Sequence, residues 1–474
     1  MKTRIQKMFV GLLVLFPATA GAQPQVPPTA LAKPMVIQLT LHPAPLVGLP
    51  FRYRLLPDLV DLEPGNAAPL YMIASELMAG SDTKENTTVI DELEGQAADK
   101  IDRDRANAFL ERFRSPLRHV ELGARREYCT WDLPARSEGF GTLLPYLKGM
   151  RTLSRLIALQ AKIQVADGRY DAAVHTLQTG FGLARHLDQD AFLIQELVAA
   201  AVTESMLGRV EQWIAKPGSP NLYWTLSDLP APYLDIRSSV RHERAGTFWS
   251  IPHLKEAIDG KLTAEHYGEM SKKLQDLYAV MGKIPENRDN PPITVVIGDA
   301  IAQVQKAKAA LHEMGYTDKT LEALTPEQRM GLWWGQSYER AFQETTKALA
   351  LPFYQDPTMI QGAGGPVKAP KPDPSNPMME LLPTISHARL SVSRIDRHIG
   401  QLRCLEMIRA YAAGHDGAAP ETLAAIPGIP VAVDPATGLP YQYHSVAGAI
   451  TLEAPVPAGG QPRYGWKVEI KLEK

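Results

Sequence analysis

The sequence predicts a mainly α fold: an irregular body of helical hairpins, tetratricopeptide-like in one place, followed by a small C-terminal α+β module. Three observations predict it. Apolar residues recur at three- and four-residue spacing through about 142–216 and in several later stretches. A Pro/Gly segment, 361–377, interrupts that pattern, and a long helical pattern resumes after it. Strand-like alternation is confined to the region before residue 64 and to the last part of the chain. With 474 residues and 45% apolar content, the chain is long enough to bury a large core.

The first 22 residues have the layout of a cleaved secretory signal peptide. Lys2, Arg4 and Lys7 form a basic start, Met8–Phe16 an apolar run of nine residues, and Ala20-Gly21-Ala22 a small-residue cleavage site. Nine residues fall short of the ~20 that a spanning helix needs. The sequence thus places the mature protein, from Gln23, in the periplasm or outside the cell, with no membrane span after leader removal. Loss of the three leader cations takes the formal net charge from −2 to −5. That balance argues against nucleic acid as a partner. An oxidising compartment makes a disulfide between the only two cysteines, Cys129 and Cys404, a candidate.

Residues 23–64 form a Pro-rich segment with two strand candidates, Val36–Leu41 and Phe51–Leu55, read as a loose hairpin. The helical domain spans 65–360. Leu147, Met150, Leu153, Ile157 and Ala161 make one apolar stripe; Tyr170, Val174, Leu177, Phe181 and Ala184 make the next. Gly168 between them permits the left-handed backbone of a helix exit, so the two stripes face each other in an antiparallel hairpin. A third helix covers about 190–216, and Ser219-Pro220 opens another. Helical patterns continue at about 232–258, 263–282 and 296–313. Thr325-Pro-Glu-Gln328 is a capping box, opening a helix whose aromatic stripe Trp333, Trp334, Tyr338 and Phe342 reads as core. After the 361–377 linker, residues 378–474 hold a long helix (about 380–413) and a small β-region with strand candidates Tyr441–His444, Ile450–Glu453 and Trp466–Leu472.

Gly168-Arg-Tyr-Asp-Ala-Ala173 resembles the inter-helix turn of a tetratricopeptide repeat, in a single copy. The stretches Ile408–His415, Pro420–Leu423 and Asp434-Pro-Ala-Thr-Gly-Leu-Pro-Tyr-Gln-Tyr443 are similar to the periplasmic module of type II secretion pseudopilins, in which a long helix runs into a small β-region. That resemblance implies a secretion-apparatus component, and by analogy a calcium site near Asp434. The whole chain resembles a family of uncharacterised exported bacterial proteins through Tyr53–Pro57, Pro64–Tyr71, Cys129 with Trp131, Gly168–Asp171, Pro220–Trp224 and Arg394–Arg397. The likeness implies export and architecture only.

The chain carries no H-E-x-x-H pair, no zinc-spaced Cys/His cluster and no G-x-S-x-G elbow. The sequence therefore nominates no catalytic residue, no cofactor and no metal ligand. His175 and His186 read as two partly exposed histidines, and Asp188 and Asp190 as caps of the following helix. Arg237, Arg241 and Arg244, at helical spacing, form a candidate stripe for an anionic partner. The leading expectation is a non-enzymatic interaction or scaffold protein that meets a protein or peptide partner in the cell envelope. The alternatives are the secretion-apparatus component and an envelope hydrolase whose active site assembles from distant residues.

Overall fold

The computed structural model describes residues 35–81, 83–189, 192–280, 300–356, 375–382, 385–446, 449–456 and 465–473. The leader expected at 1–22, Asp190 and nearly all of the expected linker lie outside them. The described chain is mainly helical, with sixteen α-helices and a four-stranded sheet.

The chain opens with β1 (Met35–Leu41) and β2 (Glu63–Asn66), then α1 (Ala68–Leu77), α2 (Lys84–Gly95), α3 (Arg103–Glu111) and α4 (Arg114–Gly123). A short β3 (Arg126–Tyr128) pairs with β2, and α5 (Ala135–Glu138) follows. Three long helices form the centre: α6 (Tyr146–Ala166), α7 (Tyr170–Leu187) and α8 (Leu193–Ala215), each packed on the other two. The expected hairpin is there. Its turn depends on Gly168, whose φ of +70° suits a residue without Cβ. Leu153, Ile157 and Ala161 of α6 and Leu177, Phe181 and Ala184 of α7 are all buried.

Beyond the centre come α9 (Tyr223–Ser227), α10 (Ile236–Ser250), α11 (Leu254–Ile258), α12 (Ala264–Val280), α13 (Ala300–Glu313), α14 (Asp318–Glu322) and α15 (Pro326–Thr346). The pattern expected as one helix over 232–258 breaks into α10 and α11. Pro252 lacks an amide hydrogen, and His253 after it sits in the left-handed region at φ +59°. Ser219-Pro220 does not cap the next helix; the Asn221 side chain accepts from Tyr223 N–H instead. At Thr325 both capping-box hydrogen bonds form, 3.3 Å to the Gln328 amide and 3.0 Å back from the Thr325 amide. Trp333, Trp334, Tyr338 and Phe342 are buried, as expected. Gly335 lets α11 lie close to α15, since a Cβ there would come within 2.9 Å of the Ile258 backbone nitrogen.

The last elements are the 30-residue α16 (Ile385–Gly414), β4 (Gln442–Val446), β5 (Ala449–Ala454) and β6 (Trp466–Leu472). The sheet order is β1-β6-β5-β4. β1 runs parallel to β6, Met35 opposite Trp466 and Leu41 opposite Leu472, while the other pairs are antiparallel. The expected hairpin of Val36–Leu41 with Phe51–Leu55 therefore does not form. Pro50 and Pro57 bracket the second segment, which folds as turns; Tyr53 packs edge-on to Trp213 at 5.4 Å and Leu55 is buried. One face of the sheet, Ile450, Leu452, Ala454, Trp466, Val468 and Ile470, is buried, and β5 lies against α16.

Three buried ion pairs hold α16 in place, one of them between Arg389 and Asp356. Arg409 and Glu406 are both fully buried and bonded at 2.8 Å. The same guanidinium reaches His42 O and Ser219 O, and the Glu406 carboxylate accepts from Leu222 N–H. Asn221 Nδ2 donates to both Ala44 O and Glu406 O. The N-terminal segment, the turn after α8 and the last long helix therefore share one polar junction. Arg397 and Asp434 form the third pair, with Nε and Nη2 each 2.8 Å from a carboxylate oxygen. The hydrophobic core runs without a break from Leu41 to Ile470.

Candidate functional site

Among the described residues, three places stand out for the groups they bring together, besides His398 held between Glu204 and Glu211 at 3.5 and 3.6 Å. The first is a buried acidic cluster between the end of α7, the start of α8 and α10. Glu196 is fully buried and accepts from Ser239 Oγ at 2.9 Å. Its carboxyl group meets that of Asp188. Asp188 Oδ1 and Glu196 Oε1 are buried and find no donor among the described residues. Burial first, and then the neighbouring Asp188, hold Glu196 well above the ordinary carboxylic range. A single proton between the two oxygens satisfies both. One turn along α10, the Glu243 carboxylate accepts from Leu193 N–H at 2.9 Å, and burial pushes it up to about 7. Glu243 is half-buried as a residue; the carboxyl end, packed on the start of α8, is the enclosed part. Asp188 thus ends α7 instead of capping α8, and its Oδ2 accepts from Asp235 N–H at 3.3 Å.

The second place is a histidine–glutamate cluster across α11 and α12. His253 Nδ1 lies 3.1 Å from Glu256 Oε1, and its Nε2 3.0 Å from Glu269 Oε2. His266 Nδ1 lies 2.6 Å from the other Glu256 oxygen. The two imidazole rings stack 3.7 Å apart and 10° from parallel. Hydrogen bonding to Glu256 and then to Glu269 raises His253 above the ordinary histidine range. All four side chains keep contact with solvent. The donor set of His253, Glu256 and His266 is of metal-binding type, with one donor atom from each side chain within 4.8 Å of the others.

The third place is an open groove of about 850 Å³ along α15. Met314, Trp333 and Met379 supply apolar lining; Arg340, Gln343, Glu344 and Lys347 supply polar and charged lining. Arg340 Nη2 donates to Met314 O at 2.9 Å, and Lys347 pairs with Glu344.

The residues nominated from sequence do not converge. Cys129 and Cys404 are each buried, and no disulfide joins them. Cys129 is held beside Trp131 and Tyr146 near α6, whereas Cys404 faces the C-terminal segment from α16. The arginine stripe is largely neutralised. Arg237, itself exposed, is bound at 2.7 Å by Asp235, and Arg244 Nη2 donates to both Glu339 oxygens at 2.8 and 2.9 Å, while Arg241 is exposed. His175 is exposed as expected, bonded to Glu121, but His186 is buried against Tyr71 Oη at 2.8 Å. Burial pushes His186 down to about 4. The Asp434 carboxylate is occupied by Arg397 and by Ala436 N–H, so it is not an open calcium ligand.

Sequence reasoning missed the His253–Glu256–His266–Glu269 cluster because His253 and Glu256 lie before the turn that follows α11, and His266 and Glu269 lie after it. The sequence signal was present as His253 and Glu256 at i, i+3, followed by His266 and Glu269 at the same spacing. No helix of the described residues is long and apolar enough to cross a membrane. The chain matches no protein-family model, no curated protein and no solved structure.

Proposed function

We propose that the protein is an exported, non-enzymatic binding or scaffold protein of the cell envelope that takes a protein or peptide partner. The observation that carries this reading is the groove along α15. Its lining combines apolar Met314, Trp333 and Met379 with side chains of both signs of charge, Arg340, Glu344 and Lys347. None of the buried titratable groups at Glu196, Glu243, His186 or Asp434 lines it. The basic, apolar and small-residue blocks of the first 22 residues support export. The net negative balance of the mature chain supports a partner other than nucleic acid.

The experiment is capture of partners from envelope extract with immobilised mature protein, alongside Ala341→Arg, which fills the groove, and Arg237→Ala, which lies elsewhere. The expected result is a discrete partner held by the native protein and Arg237→Ala but lost with Ala341→Arg. Equal capture by all three, or none by any, overturns the reading.

A further inference from the structure

We propose that His253, His266 and Glu256 form a site for one divalent transition-metal ion of the zinc class, with Glu269 as the outer carboxylate that orients His253. The geometry carries the argument. Both ring nitrogens of His253 face carboxylate oxygens, Nδ1 toward Glu256 and Nε2 toward Glu269. A neutral imidazole has one N–H to give. If Nε2–H donates to Glu269, the Nδ1 lone pair points at Glu256 and toward His266. Lone pair against carboxylate is repulsive. A proton on Nδ1 or a metal ion in its place relieves that repulsion, so the two compete for one position. His266 Nδ1 meets the same carboxylate from the other side at 2.6 Å. Two histidine nitrogens thus flank one carboxylate, each against a different oxygen, and the second nitrogen of His253 already holds a carboxylate partner of the kind found behind metal-bound histidines.

The spacing fits a donor set of this kind. One donor atom from each of the three side chains lies within 4.8 Å of the others. Zinc bonds of about 2.1 Å require donor separations of about 3.4 Å in a tetrahedron. Seating an ion lengthens the two direct His–Glu256 contacts, 3.1 and 2.6 Å, toward about 3.4 Å, a side-chain movement that partly exposed residues allow. The backbone assists: the left-handed conformation at His253 turns its ring back over α12, where it stacks on His266. Imidazole plus carboxylate favours zinc or copper over magnesium or calcium, which take oxygen donors. Three protein ligands leave a fourth position for water or for a donor from a bound partner. Binding displaces protons from the two rings, so affinity falls in acid.

The test is titration of chelator-treated full-length mature protein with Zn²⁺ against a competing chromogenic chelator, repeated with Co²⁺ to read coordination geometry from its visible spectrum. The variants are His253→Asn, which tolerates the left-handed backbone, His266→Gln and Glu269→Gln. A fourth, His175→Ala, removes an exposed His–Glu pair elsewhere. Circular dichroism confirms that each is folded. The expected result is one Zn²⁺ per chain that millimolar Mg²⁺ does not displace. Affinity should drop at least tenfold in His253→Asn and His266→Gln, tenfold to a hundredfold in Glu269→Gln, and stay unchanged in His175→Ala. No Zn²⁺ bound more tightly by the native protein than by a folded His253→Asn/His266→Gln double variant overturns the proposal. So does equal displacement by Mg²⁺.

Discussion

Replacing Asp434 with Asn tests how the C-terminal turn is held to the body. Arg397 is 2% exposed and Asp434 fully buried. Two hydrogen bonds of 2.8 Å join them. The same guanidinium donates to Pro455 O at 2.6 Å and lies 4.8 Å from the Trp466 ring. Asn keeps the size of the side chain and one acceptor oxygen but removes the charge. Arg397 is then a buried cation without its anion, a change that costs about 3–5 kcal/mol. An exposed pair such as Arg237–Asp235 contributes about 0–1 kcal/mol. Urea unfolding followed by tryptophan fluorescence measures both. Asp434→Asn is expected to lose about 3–5 kcal/mol and Arg237→Ala less than about 1 kcal/mol. Removing both charges, Arg397→Met/Asp434→Asn, is expected to recover at least about 2 kcal/mol, because the stranded cation is gone. An Asp434→Asn protein within about 1 kcal/mol of native, or a double variant no better than the single, refutes the reasoning.

Further outcomes follow from other contacts. Glu243 is raised from its ordinary value to about 7, so the folded state holds its proton more tightly than the unfolded state. Its stabilising contribution is complete below about pH 4.5 and is lost as pH rises through about 7. His186 is lowered to about 4, so its contribution is present above about pH 6.5 and is lost as pH falls through about 4. The two trends oppose each other in the native protein. The difference between Glu243→Gln and native urea midpoints isolates the first: it should grow in favour of the variant from pH 5 to pH 8, and a difference flat with pH contradicts the assignment. Glu196→Gln, judged by the same midpoints, should also stabilise at pH 8, since the amide donates to Asp188 where a shared proton is otherwise required. Gly335→Ala places a Cβ 2.9 Å from Ile258 N, so it should cost about 1–3 kcal/mol despite better helix propensity; a thermal scan showing equal or greater stability excludes the close approach.

What was legible in the sequence was local. The α6–α7 hairpin could be read because two stripes of period 3.6 flank one glycine that must leave the helix. The capping box at Thr325 and the span Trp466–Leu472 were readable for the same reason: the signal lies within a few residues. What was not legible depends on distant partners. β1 finds β6 more than 400 residues away, and nothing in Val36–Leu41 names that partner over Phe51–Leu55. Arg397 and Asp434 both sit in stretches quoted for family resemblance, yet only the fold shows that they bind each other. The histidine–glutamate cluster was hidden because its two His/Glu pairs sit on separate helices, and only the fold brings one back against the other. The acidic cluster was hidden because Asp188 carries the signature of a helix cap whichever helix it serves.

The most direct test of the binding account is site-specific photo-crosslinking from the groove. A photoreactive residue at Ser337, which lines the groove, is compared with one at Lys84 on the first turn of α2. The expected result is a discrete adduct with an envelope protein or peptide from position 337 and none from position 84. Adducts from both positions alike, or from neither, would contradict a binding role for the groove.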